Sequence, residues 1–353
     1  MRPLPLRPMR ILIHTGSIQL QQQPMLEALL LQLSTQFEQT TWLLAGTTAP
    51  PQALAAEVQC LPLKQSKLPL LGAVQYKRQL QHIIQQQQVN IVLQCDAWIP
   101  GLGYPQLWLR PGFSAVNGLP AKWPSPCAVA LSAEFQLGQR VLPAGVNAHY
   151  IGLAAHPAAQ ALAWAQREQL KQTHAGGLEY FLSYGNASGD ELVALLKAYS
   201  QFRKRQQSSM PLLIALPGHA PADFADKLST YKYRSDVQVL PQCTSQQLWS
   251  LSAAAYAVLI TPAVPAWNML SVLKTGTALL TPRSTVSEAA CGPAAYLLPG
   301  WEEAQLAQAL MLLYKDETYR STLLANAQHW LARHPLPMLA DRLMQALQTT
   351  CEN

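Results

Sequence analysis

From residue 180 onward, short apolar runs alternate with amphipathic helical stretches. YFLSYG (180–185) reads as a strand, and in the helical segment ELVALLKAYSQFRKR that follows, Leu192, Leu195, Leu196 and Tyr199 fall on one face. PLLIAL, VQVLP and AVLIT read as further strands, separated by the helical DFADKLSTYKY and QQLWSLSAAAY. ALLTP and AAYLLP follow, and two closing helices finish the chain. Strands alternating with helices imply a parallel sheet covered on both faces.

The first half carries the same signal less regularly. RILIH (10–14) is a buried strand that turns at Thr15-Gly16-Ser17 into a helix bearing MLEALLLQL. TTWLLAG and NIVLQ are strands, the latter entered from a glutamine-rich helix ending in QHIIQQQQ, whose glutamines read as helix surface. Between 101 and 145 Pro and Gly recur and only short strands such as CAVAL (127–131) stand out. AAHPAAQALAWAQREQLKQTHAGG then reads as a helical connector stopped by Gly176-Gly177. A chain of 353 residues exceeds one compact core and suits two domains. The expected division is a first domain at 1–160, shortened and irregular at 101–145, a connector at 161–177, a second domain at 178–334 and a C-terminal helix at 335–353.

Composition narrows the function classes. Only 12% of residues are charged, and the net charge of +6 is dispersed apart from Arg203, Lys204 and Arg205, which a solvated helix end accounts for. No basic stripe is interleaved with aromatics, so no specific nucleic-acid partner is expected. The six cysteines form no CxxC and have no His at ligand spacing, so no metal or cofactor is implied and a reducing, cytoplasmic compartment is expected. The N-terminus lacks a signal-peptide pattern, and Pro241, Pro262 and Pro265 cut the least charged stretch, 237–273, too short to span a bilayer. Membrane contact is expected to be peripheral at most. GFSAV (112–116) is not a nucleophile elbow.

The segments GLEYFLSYGN, LLKAYSQFRKRQQSSMPLLIAL, LSTYKYRSDVQVLP, AAAYAVLITP and LLYKDETYR resemble, in order and spacing, the family 4 glycosyltransferases of the Bacteroidota type. The resemblance covers about 178–334, with echoes in LQCDAW, ALSAEF and VLPAGVNAHY. It implies an α/β chain of GT-B architecture: two Rossmann-like doubly wound domains across a cleft, with the C-terminal helix returning to the first. It also implies sugar transfer from a nucleotide donor with retention of configuration.

The chain departs from that family where the donor binds. Relatives hold the donor diphosphate with a basic pair after the first strand of the second domain, where charge-assisted contacts require Arg and Lys. Here Asn186, Ala187, Ser188, Gly189, Asp190 and Glu191 stand there, without a cation, and the two acids suit helix capping instead. Relatives also carry two glutamates seven residues apart; in TPAVPAWNMLSVLKTGTALLTP (261–282) their places fall to Ala263 and Ser271, and Trp267 occupies a loop position where it would fill sugar space. A His-Asp pair expected between Trp98 and Ala130 has no His.

By resemblance, the remaining donor-side positions are Gly16, Asn186, Ser271, Gly276, Ser284, Thr285 and Glu288, with Ala263 as a vestigial acid position and no catalytic residue assigned. Gly16 reads equally as a turn glycine, and Ser284 or Ser287 as a helix cap beside Glu288. Trp249, Tyr256, Trp301 and Trp330 read as core or contact residues, whereas Trp98, Tyr104, Trp108 and Trp123 suit either burial or a platform for a sugar or protein. The expectation is a donor-site-degenerate, non-catalytic glycosyltransferase homologue that binds a nucleotide sugar, a glycan or a protein partner. The alternative is an active retaining enzyme with atypical donor contacts.

Overall fold

A computed structural model describes residues 9–64, 69–110, 127–131, 146–261 and 264–352. Ala263, Trp123 and the GFSAV segment lie outside the described residues. The chain forms two compact units, Met1–Leu153 with Leu336–Asn353, and Ala154–Pro335.

In the first unit Ile11, Leu12 and Ile13 are fully buried, as a strand covered on both faces requires. They belong to β1 (Arg10–Gly16), followed by β2 (Thr41–Gly46), β3 (Gln59–Pro62), β4 (Ile91–Gln94), β5 (Gln106–Arg110), β6 (Cys127–Leu131) and β7 (Val146–Tyr150). All seven pair in parallel in the order β3-β2-β1-β4-β5-β6-β7. Helices α1 (Pro24–Gln36), α2 (Gln52–Glu57) and α3 (Pro69–Gln86) connect the early strands. One core cluster joins Leu12, Leu43 and Val92 of the sheet to Leu80 and Ile84 of α3. β3 escaped sequence reading because it is an edge strand whose residues are half or fully exposed, so it lacks an apolar run.

The second unit begins with an irregular segment at 154–163, then α4 (Trp164–Ala175). The helical reading of this stretch is corrected at its start. Pro157 supplies no amide donor and disfavours helical geometry at His156, whose N–H goes instead to Ser271 Oγ (2.9 Å). The expected stop holds, with Gly176 at φ +60° and Gly177 at φ +83°. Next come β8 (Phe181–Tyr184), α5 (Gly189–Gln206), β9 (Leu212–Ala215), α6 (Phe224–Ser229), β10 (Val237–Leu240), α7 (Ser245–Ala254) and β11 (Ala257–Ile260). Then follow α8 (Ala266–Lys274), β12 (Ala278–Pro282), α9 (Thr285–Cys291), β13 (Ala295–Leu298), α10 (Glu303–Lys315) and α11 (Glu317–Leu331). The sheet is parallel in the order β10-β9-β8-β11-β12-β13. Leu192, Leu195, Leu196 and Tyr199 form the buried face of α5, as their spacing predicts.

After β13 the chain makes three helices rather than two. The third, α12 (Leu336–Glu352), returns to the first unit and contacts α1, β4, β5, β6 and β7. Its stripe of Leu336, Leu339, Ala340, Leu343, Met344 and Leu347 is buried, a helical periodicity satisfied only by that return. No helix among the described residues is long and apolar enough to cross a membrane.

Candidate functional site

In a doubly wound sheet, ligands bind beyond the carboxyl ends of the strands where the strand order reverses. The strand orders place that point between β1 and β4 in the first unit and between β8 and β11 in the second.

In the second unit the backbone leaves β8 through Gly185 at φ +136°. A Cβ there would lie 1.9 Å from Thr261 Oγ1 at the end of β11 and 2.6 Å from Val264 Cγ2, so only glycine fits. Asn186 is exposed and makes no hydrogen bond among the described residues. Then Ser188 caps α5: its Oγ accepts from Glu191 N (3.2 Å), while Glu191 Oε2 accepts from Ser188 N (2.7 Å). This is a reciprocal capping box, and it commits the Glu191 carboxylate to the helix start. Asp223 adds a third carboxylate near Gly189 and is ion-paired to Lys227 (2.6 Å), whose hydrogen bond lowers the Asp223 pKa. Lys227, the cation nearest Gly189 among the described residues, thus already has a carboxylate partner, and Asp190 and Glu191 add negative charge at the helix start.

The next connection, α8, keeps its helix while Ser271 and Lys274 serve the fold. Ser271 is fully buried; its hydroxyl donates to Trp267 O (2.7 Å) and accepts from His156 N (2.9 Å). Lys274 Nζ donates to the carbonyls of His156 (3.2 Å) and Pro157 (3.1 Å), and burial lowers its pKa. The His156 ring stacks on Trp249 at 4.2 Å, and Trp267, 5% exposed, packs 6.4 Å from both rings. Trp267 therefore belongs to the packing between α7, α8 and the 154–163 segment. Gly276, at φ +80°, ends α8 and leads into the amino end of β12, the opposite sheet edge from Asn186.

At the carboxyl end of β12, Ser284 Oγ caps α9 by accepting from Ser287 N (3.0 Å), and Thr285 is exposed in the first turn. Glu288 pairs with Arg283 at 2.7 Å, both side chains about half exposed. Asn186, Ser284, Thr285 and Glu288 thus stand at carboxyl strand ends, on either side of β11, whereas Ser271 and Gly276 do not. Gly16 belongs to the first unit.

There, Gly16 adopts φ +54°, and a Cβ would lie 2.2 Å from Asp96 Oδ2. Asp96 follows β4 and accepts from Ser17 N (3.0 Å) and Ser17 Oγ (3.2 Å), while its Oδ1 has no partner among the described residues. Behind it runs a buried polar chain. Tyr76 OH donates to His14 Nε2 (2.6 Å), His14 Nδ1 donates to Gln94 Oε1 (2.5 Å), Gln94 Nε2 donates to Gln106 Oε1 (2.7 Å), and Gln106 Nε2 donates to Ile99 O (3.0 Å). The amide directions of Gln94 and Gln106 set this tautomer, and every link is satisfied. Burial lowers the His14 pKa and keeps the ring neutral; burial and the Asp96 charge push the Tyr76 phenol up to about 12.

The arrangement leaves one oxygen of Asp96 without a partner among the described residues, beside a tyrosine hydroxyl and an imidazole whose polar atoms are committed to each other and to Gln94. Asp96 stands in LQCDAW, outside the residues that the sequence pattern marks as a site. The available signal was an acid placed directly after a buried strand. His14 and Tyr76 are 62 residues apart and carry no local signal of their meeting. Among the first-unit aromatics, Trp108 is buried and donates to Asp96 O (3.3 Å), while Trp98 and Tyr104 are half-buried.

No protein-family model and no curated protein matches the chain. Solved structures do share its fold. A glycosyltransferase from Rickettsia africae ESF-5 superposes with a TM-score of 0.76 at 10% identity, over 99% of this chain and all of that one. Anabaena Alr3699/HepE in complex with UDP and glucose gives 0.66 at 13% identity, over 97% and 100% of the two chains. WaaG, a glycosyltransferase involved in lipopolysaccharide biosynthesis, gives 0.61 at 14%, over 96% and 99%. The fold is that of GT-B glycosyltransferases, with two Rossmann-like domains, and at these identities the likeness establishes the fold alone.

Proposed function

We propose that this protein is a family 4-like glycosyltransferase homologue that has lost its grip on a nucleotide-sugar donor. Its role is non-catalytic, as a partner of an active glycosyltransferase or as a binding module in the cytoplasm. The observation that carries this reading is the turn from β8 into α5. The anion-attracting end of that helix is capped by Ser188, flanked by Asp190 and Glu191, and served by no free Arg or Lys among the described residues. A missing charge-assisted contact to phosphate costs about 1.5–3 kcal/mol, so losing several would take donor binding beyond the millimolar range. The commitment of Ser271 and Lys274 to His156 and Pro157 supports the same reading.

A second reading, an active retaining transferase with atypical donor contacts, draws on the Asp96–Ser17 pair and on Arg283 beside Ser284. Calorimetric titration with UDP, GDP and their common sugars separates the two. No saturable heat is expected at millimolar ligand; micromolar binding, or sugar transfer to water or an acceptor, would establish the second reading instead.

A further inference from the structure

A cavity of about 380 Å³ opens between α4 and α7 beside the end of the edge strand β10, two strands from the order reversal at β8 and β11. Its apolar wall is Leu170, Leu240, Pro241 and Leu251, and its polar wall is His174, Thr244, Gln246, Gln247 and Ser250. His174 lines the cavity, and its fully buried Nδ1 has no hydrogen-bond partner among the described residues. An orphaned buried ring nitrogen is unfavourable, and a bound polar group that reached it would satisfy it. Gln247 Oε1 accepts from Thr244 N (2.9 Å) and Thr244 Oγ1 (3.1 Å), which leaves Nε2 as an unused donor. The side chains of Gln246 and Ser250 make no hydrogen bonds among the described residues.

The lining decides the ligand chemistry. It holds no Asp, Glu, Lys or Arg, so a phosphate or carboxylate would enter without a counter-charge. Its only soft metal donors are His174 and Cys243. Burial pushes the Cys243 thiol up to about 11 and it donates to Thr244 O at 3.6 Å, so it is no thiolate ligand. A purely apolar guest would leave the His174 nitrogen and the amide donors unmet. Several neutral donors and acceptors facing an aliphatic wall match a molecule with many hydroxyls and one C–H face. The volume lies at the lower end of the roughly 300–1,000 Å³ of small-molecule sites, room for a mono- or disaccharide.

We propose that the cavity between α4 and α7 is a binding site for an uncharged saccharide, its hydroxyls met by His174, Gln246, Gln247 and Ser250 and its C–H face by Leu170 and Leu251. It shares no residue with the β8–β11 turn, so it stands whether or not donor binding survives there.

Saturation-transfer NMR on the full chain tests this with methyl α-glucoside, methyl α-galactoside and methyl α-mannoside at about 10 mM, suited to millimolar affinity, and methyl glucuronide as the charged counterpart. Transfer is expected to at least one neutral glycoside and not to the glucuronide. Ser250→Trp, which fills the cavity, and His174→Phe, which removes the nitrogen but keeps a ring, should each weaken binding about tenfold. Asn186→Ala should leave it unchanged. Transfer to none of the neutral glycosides, transfer unaffected by both cavity variants, or transfer abolished by Asn186→Ala would each overturn the assignment. Circular dichroism confirms that each variant is folded before its result is counted.

Discussion

Gly185 and His14 show how single residues hold the two strand-end sites. At Gly185 the backbone has φ +136° and no space for a methyl group beside Thr261 Oγ1. Gly185→Ala combines backbone strain with overpacking and is expected to destabilise the second unit by about 2–4 kcal/mol, read from urea denaturation. A loss below about 0.5 kcal/mol would show that the β8 turn relaxes freely. His14 supplies a pH signature. Burial lowers its pKa below the ordinary 6.5, so the folded chain binds fewer protons here than the unfolded chain. Stability from this group is then present above pH 6.5 and is lost as pH falls below it. Burial lowers the His149 pKa as well, with the same sign. Thermal melts should therefore show a decline from about pH 7 to about pH 5 that is shallower in His14→Asn. An equal decline in both proteins would place the sensitivity elsewhere.

At the scale of elements, helix packing and ligand chemistry are separate demands on one segment. In α8 the packing demand accounts for the Ser271 hydroxyl and the Lys274 ammonium. Ser271→Ala removes the acceptor of His156 N, and leaving that amide unmet is expected to cost roughly 1–3 kcal/mol. Hydrogen exchange of the 154–163 segment should rise in the variant; unchanged exchange would mean the segment is held by Lys274 alone. In α5, Ser188→Ala breaks the capping box at a cost of about 1 kcal/mol. If the capped helix end is what excludes a diphosphate, the same variant gains no nucleotide affinity, because Asp190 and Glu191 remain; titration with UDP checks this.

For the whole molecule, the decisive feature is that the chain leaves the first unit after residue 153 and comes back at 336. Leu343 on the returning helix is fully buried, so Leu343→Ala is expected to cost about 2–5 kcal/mol. Exchange measured by mass spectrometry should show lost protection in α1, β4 and β5, the elements that α12 contacts, with β8 to β13 retaining theirs. Loss confined to β8–β13 would contradict the assignment of α12 to the first unit.

Both doubly wound sheets were legible in the sequence, because a central parallel strand is buried on both faces and leaves an apolar run such as RILIH or AVLIT. So were the α5 face and the glycine stop after α4, since periodicity and φ > 0 are local demands. Edge strand β3 and irregular 154–163 were not, because exposure erases the apolar pattern of one and a tertiary hydrogen bond to Ser271 decides the other. The missing cations after Gly185 could be read from the residues themselves. Only the tertiary structure could bring Tyr76 onto His14, set Asp96 against Gly16 and Ser17, commit Ser271 to His156, and leave the His174 nitrogen buried without a partner. Local propensity determines which elements form; the destination of a polar side chain depends on neighbours tens of residues away, and only the folded chain supplies them.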